Sequence, residues 1–241
     1  MKARFFEIAG PRPTLGELRT AMLDQAFEEL EAADRDVEGS GLDVLDAGCG
    51  RRSPLLPYRR RIRRFAGADL RVPAPGEMAF LDTFVRADLC HDVDAFPAQS
   101  VDLVLSNFTL EHFADPAAAL ANMARWLRPG GRVVVTTVNR RHPFVGAYLA
   151  LPAPLRGRLQ RLVRPAHAHP LVGACNDPRT VAAALRGAGL EGVRVETVGH
   201  LARAWARRWP TFLLGLLGDL AAGPFPSRRS TILAMGSAPA R

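Results

Sequence analysis

The stretch that decides the fold is Val44-Leu45-Asp46-Ala47-Gly48-Cys49-Gly50. An apolar run that leads into Gly-x-Gly is typical of a buried strand followed by a sharp turn, which a ligand approaches closely at the carboxyl edge of a sheet. Position 53 is Ser, where the dinucleotide fingerprint has its third glycine, and Asp46 precedes the first glycine by two residues. A carboxylate there would repel a pyrophosphate, whereas it suits a ligand with an ammonium or sulfonium group.

Short apolar strands alternate with helical segments on both sides of this turn, which predicts a parallel sheet with helices on both faces. The predicted strands are 42–46, 65–69, 84–88, 101–106 and 132–138, followed by two late strands at 192–199 and 230–237. A capping box, Thr14-x-x-Glu17, predicts an N-terminal helix to about Ala33. Another helix follows Asp115-Pro116 and is predicted to stop at Pro129-Gly130-Gly131. The alternation of strands and helices is interrupted after the fifth strand by an Arg- and Pro-rich insertion. A predicted helix that begins at Asp177-Pro178 follows the insertion.

Composition narrows the class of protein. The 241 residues are 48% hydrophobic, which is typical of a globular chain. The net charge is +8, and 31 of the 32 basic residues are Arg. A positive electrostatic field of this kind favours anionic partners. The sequence has no recognition module or aromatic-rich sheet face that would indicate nucleic acid. Three separate cysteines and the absence of an apolar leader near the N-terminus favour a cytoplasmic protein without a zinc module.

Three successive strands are predicted to end in Asp46, Asp69 and Asp88 at one edge of the sheet. Carboxylates at such an edge need hydrogen-bond donors, so packing alone explains the set poorly. Asp69 follows Gly48 by 21 residues, the separation at which an acidic side chain reaches ribose hydroxyls in a doubly wound fold.

The chain resembles the class I S-adenosylmethionine-dependent methyltransferases of the small-molecule, quinone-biosynthesis-like type over roughly residues 40–140. The resemblance is carried by VLDAGCG (44–50), GADL (67–70), RADL (86–89), FPAQSVDLVLSNFTLEHFADP (96–116) and LRPGGRVVVTT (127–137). It implies an α/β doubly wound, seven-stranded sheet of order 3-2-1-4-5-7-6 with the last strand antiparallel, and S-adenosyl-L-methionine as cofactor. The tip after the fourth strand is Asn-Phe-Thr-Leu, which departs from the Asn-Pro-Pro-aromatic sequence of many amino-group methyltransferases.

The same resemblance implies the cofactor residues. Gly48 and Gly50 would line the methionine part and Asp46 would help to hold its ammonium. Asp69 would bind the ribose hydroxyls, Asp88 would accept from the adenine amino group, and Asn107 would face both methionine part and acceptor. The expected cofactor-binding residues, with their neighbours, are Asp46, Gly48, Cys49, Gly50, Asp69, Leu70, Asp88, Leu89, Asn107 and Phe108. No metal is expected.

We expect residues 1–40 to form an N-terminal helical cap and residues 41–139 the cofactor-binding core. Residues 140–176 and 199–228 would cover the acceptor, and residues 177–198 and 229–241 would complete the core. His112 is a candidate general base, with a role as a pocket-wall residue as the alternative. Further candidate acceptor contacts are Arg51, His142, Trp209 and Phe212. Arg51 belongs to an Arg-rich segment, residues 51–64, that follows the glycine turn. Its later part, residues 59–64, is expected at the opposite edge of the sheet.

The resemblance implies a methyltransferase, and we expect it to act on a small, apolar or amphiphilic acceptor at oxygen or carbon. A protein that binds the cofactor without catalysis is the alternative, and a nucleic-acid methyltransferase is a weaker one. The apolar segment 199–225 is too interrupted to span a bilayer. A lid, a peripheral membrane contact, a homodimer contact and ordinary core packing stay open for it.

Overall fold

The computed structural model describes residues 13–33, 41–72, 74, 76–163, 171–173, 175–206 and 209–240. Residues 1–12 and 34–40 of the expected N-terminal cap lie outside the described residues, as do residues 164–170, 174 and 207–208 of the expected acceptor cover. The helices are α1 (Leu15–Ala33), α2 (Pro116–Trp126), α3 (Pro143–Ala150), α4 (Ala153–Val163), α5 (Pro178–Gly187), α6 (Leu201–Ala204) and α7 (Trp209–Ala222). The strands are β1 (Leu42–Ala47), β2 (Ile62–Asp69), β3 (Thr83–Arg86), β4 (Val101–Asn107), β5 (Leu127–Val138), β6 (Glu191–Val198) and β7 (Thr231–Ser237).

The seven strands form one sheet of order β3-β2-β1-β4-β5-β7-β6. Neighbouring strands are parallel except that β7 runs antiparallel to both β5 and β6. This confirms the predicted doubly wound fold and its strand order.

Strand β1 lies in the middle of the sheet, and all six of its residues are buried. Its side chains alternate between two cores. Leu45 belongs to the core beneath α2 and α5, whereas Val44 belongs to the core beneath α1, with Met22 and Phe27. Because side chains alternate along a strand, Asp46 points to the α1 side.

Two predicted boundaries were wrong. Strand β3 ends at Arg86, so Asp88 lies two residues beyond the strand and not at its end. Strand β5 begins at Leu127, and Pro129-Gly130-Gly131 lies inside it. The pairing with β4 passes from Val101↔Leu127 to Leu103↔Arg132, so these residues form a bulge in the strand and do not merely terminate α2.

The insertion after β5 is more regular than its sequence predicted. Residues 140–163 form two helices, α3 and α4, and Pro143 occupies the first turn of α3 as its fixed φ favours. The segment 199–222 forms two helices, α6 and α7. None of the helices in the described part of the chain combines the length and the hydrophobicity that a bilayer span requires.

Residues 59–64, which lead into and begin β2, lie at the edge of the sheet opposite the glycine turn, as expected. Arg59 pairs with Asp82 at 2.5 Å and Arg61 with Glu31 at 2.7 Å. Arg63 pairs with Asp43 at 2.9 Å, at the start of β1. These guanidinium groups are therefore held by carboxylates of the same chain.

Candidate active site

The turn after β1 is fixed from one side and open on the other. The amides of Gly48 and Cys49 both donate to the carbonyl of Ala68 on β2, at 2.7 and 3.1 Å. Gly48 has φ 82°, and a Cβ there would lie 2.3 Å from the Thr109 side chain, so only glycine fits. Gly50 has φ 50°, and no atom lies within 4 Å of the point that a Cβ would occupy, which leaves room for a ligand beside its backbone. The Cys49 thiol is buried, and burial raises its pKa.

Asp46 is a buried carboxylate with an unsatisfied oxygen. Its Oδ2 has no hydrogen-bond partner among the described residues. Burial raises its pKa to about 7, and the nearby Asp69 adds to the rise, whereas the hydrogen bond with Ser53 and the charge of Arg19 oppose it. A buried acceptor of this kind needs a donor. An ammonium group of a ligand would supply both the donor and the opposite charge, so the residues present fit S-adenosylmethionine.

Arg19 of α1 is a site residue that the sequence did not reveal. Its Nη1 donates to Oδ1 of Asn107 at the end of β4, at 3.0 Å. The guanidinium is partly buried, which lowers its pKa, and the charge of Asp46 opposes that effect. No motif surrounds Arg19, so its only signal was its place on the helix face that covers β1.

Asp69 ends β2 beside the glycine turn. Its Oδ2 accepts from the amide of Gly50 at 3.1 Å, and its Oδ1 accepts from the amide of Arg71 at 3.0 Å. Each carboxylate oxygen has a second lone pair, so both can still accept from a diol. The neighbouring Leu70 is 62% exposed at the rim. The structure thus brings Asp46, Gly50 and Asp69 together.

Asp88 is tied to its own loop. Its Oδ1 accepts from the amide of Cys90 at 2.9 Å, and its Oδ2 lies 3.1 Å from Nδ1 of His91. Burial alone would raise its pKa, but these contacts outweigh it and the pKa is lowered. Leu89 is buried, and its carbonyl accepts from Asn122 at 3.0 Å. An adenine contact by Asp88 and Leu89 stays a prediction.

Phe108 lies between the cleft that Asp46, Gly50 and Asp69 form, which we call the cofactor cleft, and a second space. Its φ of 55° is unusual for an aromatic residue, and its amide donates to the carbonyl of Thr136 at 2.8 Å. Its ring stacks on His200, with centroids 6.1 Å apart. Strained backbone is common where a functional residue must be held in one orientation. Asn107 therefore contacts Arg19 on the side of the cofactor cleft, whereas Phe108 lines the second space.

The second space is a cavity of about 660 Å³ next to the tip of β4. Its walls come from the β4 tip, the turn at Leu110–His112, α3, α6 and α7. Most of its wall is aliphatic or aromatic, and a few polar side chains interrupt it. The lining residues include Phe108, Glu111, His112, Phe144, Tyr148, Leu151, His200, Trp205, Thr211, Leu214 and Ser230.

His112, the candidate general base, lines this cavity. Its neighbour Glu111 is buried, and Oε2 of Glu111 accepts from the Thr137 hydroxyl at 2.7 Å. The backbone carbonyl of Glu111 also accepts from the amides of Val172 and Gly173 at 2.9 and 3.2 Å. The turn that carries His112 is therefore fastened both to β5 and to the insertion.

The other predicted acceptor contacts lie outside the cavity lining. Arg51 pairs with Glu77 at 3.0 Å, and His142 is fully buried with Nε2 3.9 Å from Asp219. Burial lowers the pKa of His142 and outweighs the charge of Asp219. Phe212 packs in the interior, and Trp209 lies at the surface with its ring 5.4 Å from that of Phe212. The residues of α7 that do line the cavity are Thr211 and Leu214.

Comparison with known proteins places the chain among methyltransferases. A family model described as a methyltransferase domain matches residues 17–195. The ubiquinone biosynthesis O-methyltransferase of Cereibacter sphaeroides is 31% identical over 151 residues, which cover 58% of this chain and 61% of that protein. The nocamycin O-methyltransferase of Saccharothrix syringae is 34% identical over 178 residues, which cover 64% of this chain and 61% of that protein. The chain thus spans about three fifths of the length of these curated relatives.

A solved structure, phosphoethanolamine N-methyltransferase 2 of Haemonchus contortus with S-adenosyl-L-methionine, shares the fold. Its TM-score is 0.52 at 16% sequence identity, and the match covers 90% of this chain and 52% of that chain. At this level of identity the likeness concerns the architecture alone.

Proposed function

Because the chain belongs to the class I S-adenosylmethionine-dependent methyltransferase family, we propose that it methylates a hydroxyl oxygen of a small, apolar or amphiphilic acceptor. The observation that carries this proposal is the apolar cavity beside the β4 tip, where Phe108 lines the cavity and Asn107 meets the cofactor cleft. The names of two relatives, both O-methyltransferases, favour oxygen over carbon.

The cofactor supplies an activated methyl group on a sulfonium when it is bound. Asp46 would accept from its ammonium through the oxygen that lacks a partner, and the open side of Gly50 would admit its methionine part. Arg19 would pair with its carboxylate, since the guanidinium already lies at Asn107 and within the field of Asp46. Asp69 would accept from the ribose hydroxyls beside the Gly50 amide. Asp88 and Leu89 would meet the adenine.

The protein's task in methyl transfer is to hold an acceptor oxygen in line with the methyl group and to exclude water. Residues 140–176 and 199–228 would form the cover that does so, since α3, α6 and α7 wall the cavity. We assign His112 as the general base that takes the hydroxyl proton on an imidazole nitrogen. The backbone and side-chain contacts of Glu111 would keep its turn in place. Contacts to the acceptor by Arg51, His142, Trp209 or Phe212 remain predictions.

We also propose that the protein works in the reducing cytoplasm. Its three cysteines, Cys49, Cys90 and Cys175, are all buried free thiols. A compartment that keeps thiols reduced suits this arrangement.

The test is an assay of S-adenosylhomocysteine formation with a panel of phenols, catechols and aliphatic alcohols of graded apolarity, with mass spectrometry of the products. We expect turnover with apolar hydroxylated compounds. Methylation of a carbon atom would revise the acceptor chemistry. Calorimetric binding of S-adenosylmethionine without turnover of any compound would instead support a ligand-binding protein.

His200 offers a matched control for the base, because it lines the same cavity. Loss of a general base lowers the rate by about 10²- to 10⁴-fold. We expect His112→Ala to lower kcat in that range and to remove the acidic limb of the kcat profile measured at saturating S-adenosylmethionine, where cofactor affinity no longer limits the rate. His200→Asn should change KM for the acceptor and keep that limb. A His112→Ala enzyme with an unchanged pH profile would assign His112 to the pocket wall.

A further inference from the structure

Helix α7 is apolar on both of its sides. Phe212, Gly215 and Gly218 are buried against the rest of the molecule. The opposite side exposes a stripe of large apolar side chains. The stripe consists of Trp209, Leu213, Leu217 and Leu220. A surface helix normally presents polar residues to solvent, and one that is apolar all round is usually covered by something.

The exposed apolar side chains are concentrated on the segments that wall the cavity. Twelve large hydrophobic residues are exposed among those that the structure describes, and eight of them lie in residues 140–176 and 199–228. The eight are Leu155, Val172, Trp209, Leu213, Leu214, Leu217, Leu220 and Phe225. A concentration of this kind marks an interaction surface.

The positive charge of the chain is concentrated in the same segments of the sequence. Residues 140–176 and 199–228 contain ten Arg and one acidic residue, Asp219, whereas the rest of the chain has 22 basic and 23 acidic residues. Asp219 faces inward, because its carboxylate accepts from the Ser230 hydroxyl and from the amide of Ala202, both at 2.8 Å. Arg203, on α6, and Arg228, beyond the C-terminal end of α7, are both exposed. The Arg228 guanidinium lies over the ring of Phe225 at 5.2 Å.

We propose that the stripe on α7 docks on a membrane surface that contains anionic phospholipid. An apolar helix face bordered by arginines matches the two attractions of such an interface, apolar insertion and headgroup charge. A second copy of the chain fits less well, because it would bring an equal surplus of Arg to the same contact. A nucleic acid would match the charge and leave the apolar stripe in water.

The docked face is continuous with the cavity. Leu214 is an exposed residue of α7 and also lines the cavity wall. An apolar acceptor dissolved in the lipid would therefore reach the cavity along this side of α7 without crossing water. The docking itself does not depend on methyl transfer, so it is tested by binding alone.

The experiment measures flotation of the full chain with vesicles of phosphatidylcholine, alone or mixed with an equal amount of phosphatidylglycerol, at low and high salt. We expect binding to the mixed vesicles that weakens with salt, because counterions screen the headgroup attraction. The double variant Leu213→Glu and Leu217→Glu should bind at least tenfold more weakly. Leu56→Glu and Val72→Glu, at exposed apolar positions outside the cover, add the same two charges and should bind within twofold of the unmodified protein.

A second pair of variants separates charge from apolar insertion. Arg203→Gln and Arg228→Gln together should flatten the salt dependence, whereas Arg60→Gln and Arg186→Gln, also exposed, should leave it unchanged. Equal losses for the two Leu and control variants would overturn the proposal, as would equal binding to neutral vesicles. Sedimentation that shows a dimer broken by the Leu213→Glu and Leu217→Glu changes, with no vesicle binding, would assign the stripe to a second copy.

Discussion

Replacement of Asp46 by Asn should stabilise the protein without cofactor and weaken its cofactor binding at the same pH. The carboxyl group is buried on β1, and burial raises its pKa to about 7 from the ordinary value of 3.8. In the unfolded chain the group loses its proton above pH 4, whereas in the folded protein it keeps the proton to about pH 7. The unfolded state is therefore favoured progressively as the pH rises from 4 to 7.

The size of the effect follows from the pKa difference. A difference of about three pH units corresponds to an upper limit of about 4 kcal/mol of lost stability at pH 7 and above. The Asn variant lacks this titration and keeps the shape of the side chain. Its stability relative to the unmodified protein should rise from near zero at pH 4 to its maximum above pH 7, where the melting temperature increases by at most roughly 8 to 16 °C.

Calorimetry then compares two ligands, S-adenosylmethionine and 5′-methylthioadenosine, which lacks the ammonium. A hydrogen bond between charged groups contributes about 1.5 to 3 kcal/mol, or about 10- to 150-fold in affinity. We expect that loss for S-adenosylmethionine and a change of less than about threefold for methylthioadenosine. In the unmodified protein, affinity for S-adenosylmethionine should increase as the pH rises from 5.5 to 7, because Asp46 ionises in that range. Equal losses for both ligands, or an Asn variant that is less stable at pH 8, would refute the assignment.

The remaining predictions use other parts of the same framework. Asp43→Asn, three residues earlier on β1, should have the opposite effect, because the ion pairs with Arg63 and Arg128 outweigh burial and lower the pKa of Asp43. The free energy of unfolding should fall by about 1.5 to 3 kcal/mol at pH 7 and by less near pH 3. Chemical denaturation at the two pH values checks the sign. Arg19→Gln should weaken S-adenosylmethionine binding about tenfold or more and leave methylthioadenosine unaffected, as measured by calorimetry. Asp69→Ala should weaken both ligands by about 1.5 to 3 kcal/mol, and unchanged affinity in a folded variant would remove the ribose role. Trp205→Ala should reduce kcat/KM for the acceptor with normal cofactor affinity, whereas Phe212→Ala, in the core, should lower stability by about 3 to 5 kcal/mol; a thermal melt distinguishes the two.

Local pattern was enough to predict strands of the cofactor half, and the family resemblance implied their order in the sheet. The apolar runs 42–46, 65–69 and 101–106 predicted β1, β2 and β4, because strands buried on both faces read as continuous apolar sequence. The same reasoning wrongly extended β3 to Asp88. The strand ends at Arg86, and the sequence shows no change of pattern there that marks its end.

The acceptor half depended on contacts that pattern does not record. Trp209 and Phe212 are both aromatic and three residues apart, yet one lies at the surface and the other in the core. That difference is set by how α7 rests on α6, where a Cβ at Gly215 would come within 2.9 Å of Ala202. Arg19 meets Asn107 across 88 positions of sequence, a separation that no local motif spans.

The place of β7 in the sheet bears on the order in which the molecule assembles. Strand β6 is bonded to the sheet only through β7, which is made after it, and the chain between them carries α6 and α7. During synthesis, β1 to β5 can therefore pair while β6 still waits for its neighbour. Pairings distant in sequence are slow to form, so the cofactor side should gain its structure first and the cavity wall should close last. A chain released before residue 231 would keep a five-stranded sheet and an exposed apolar α7, which is a natural target for chaperones.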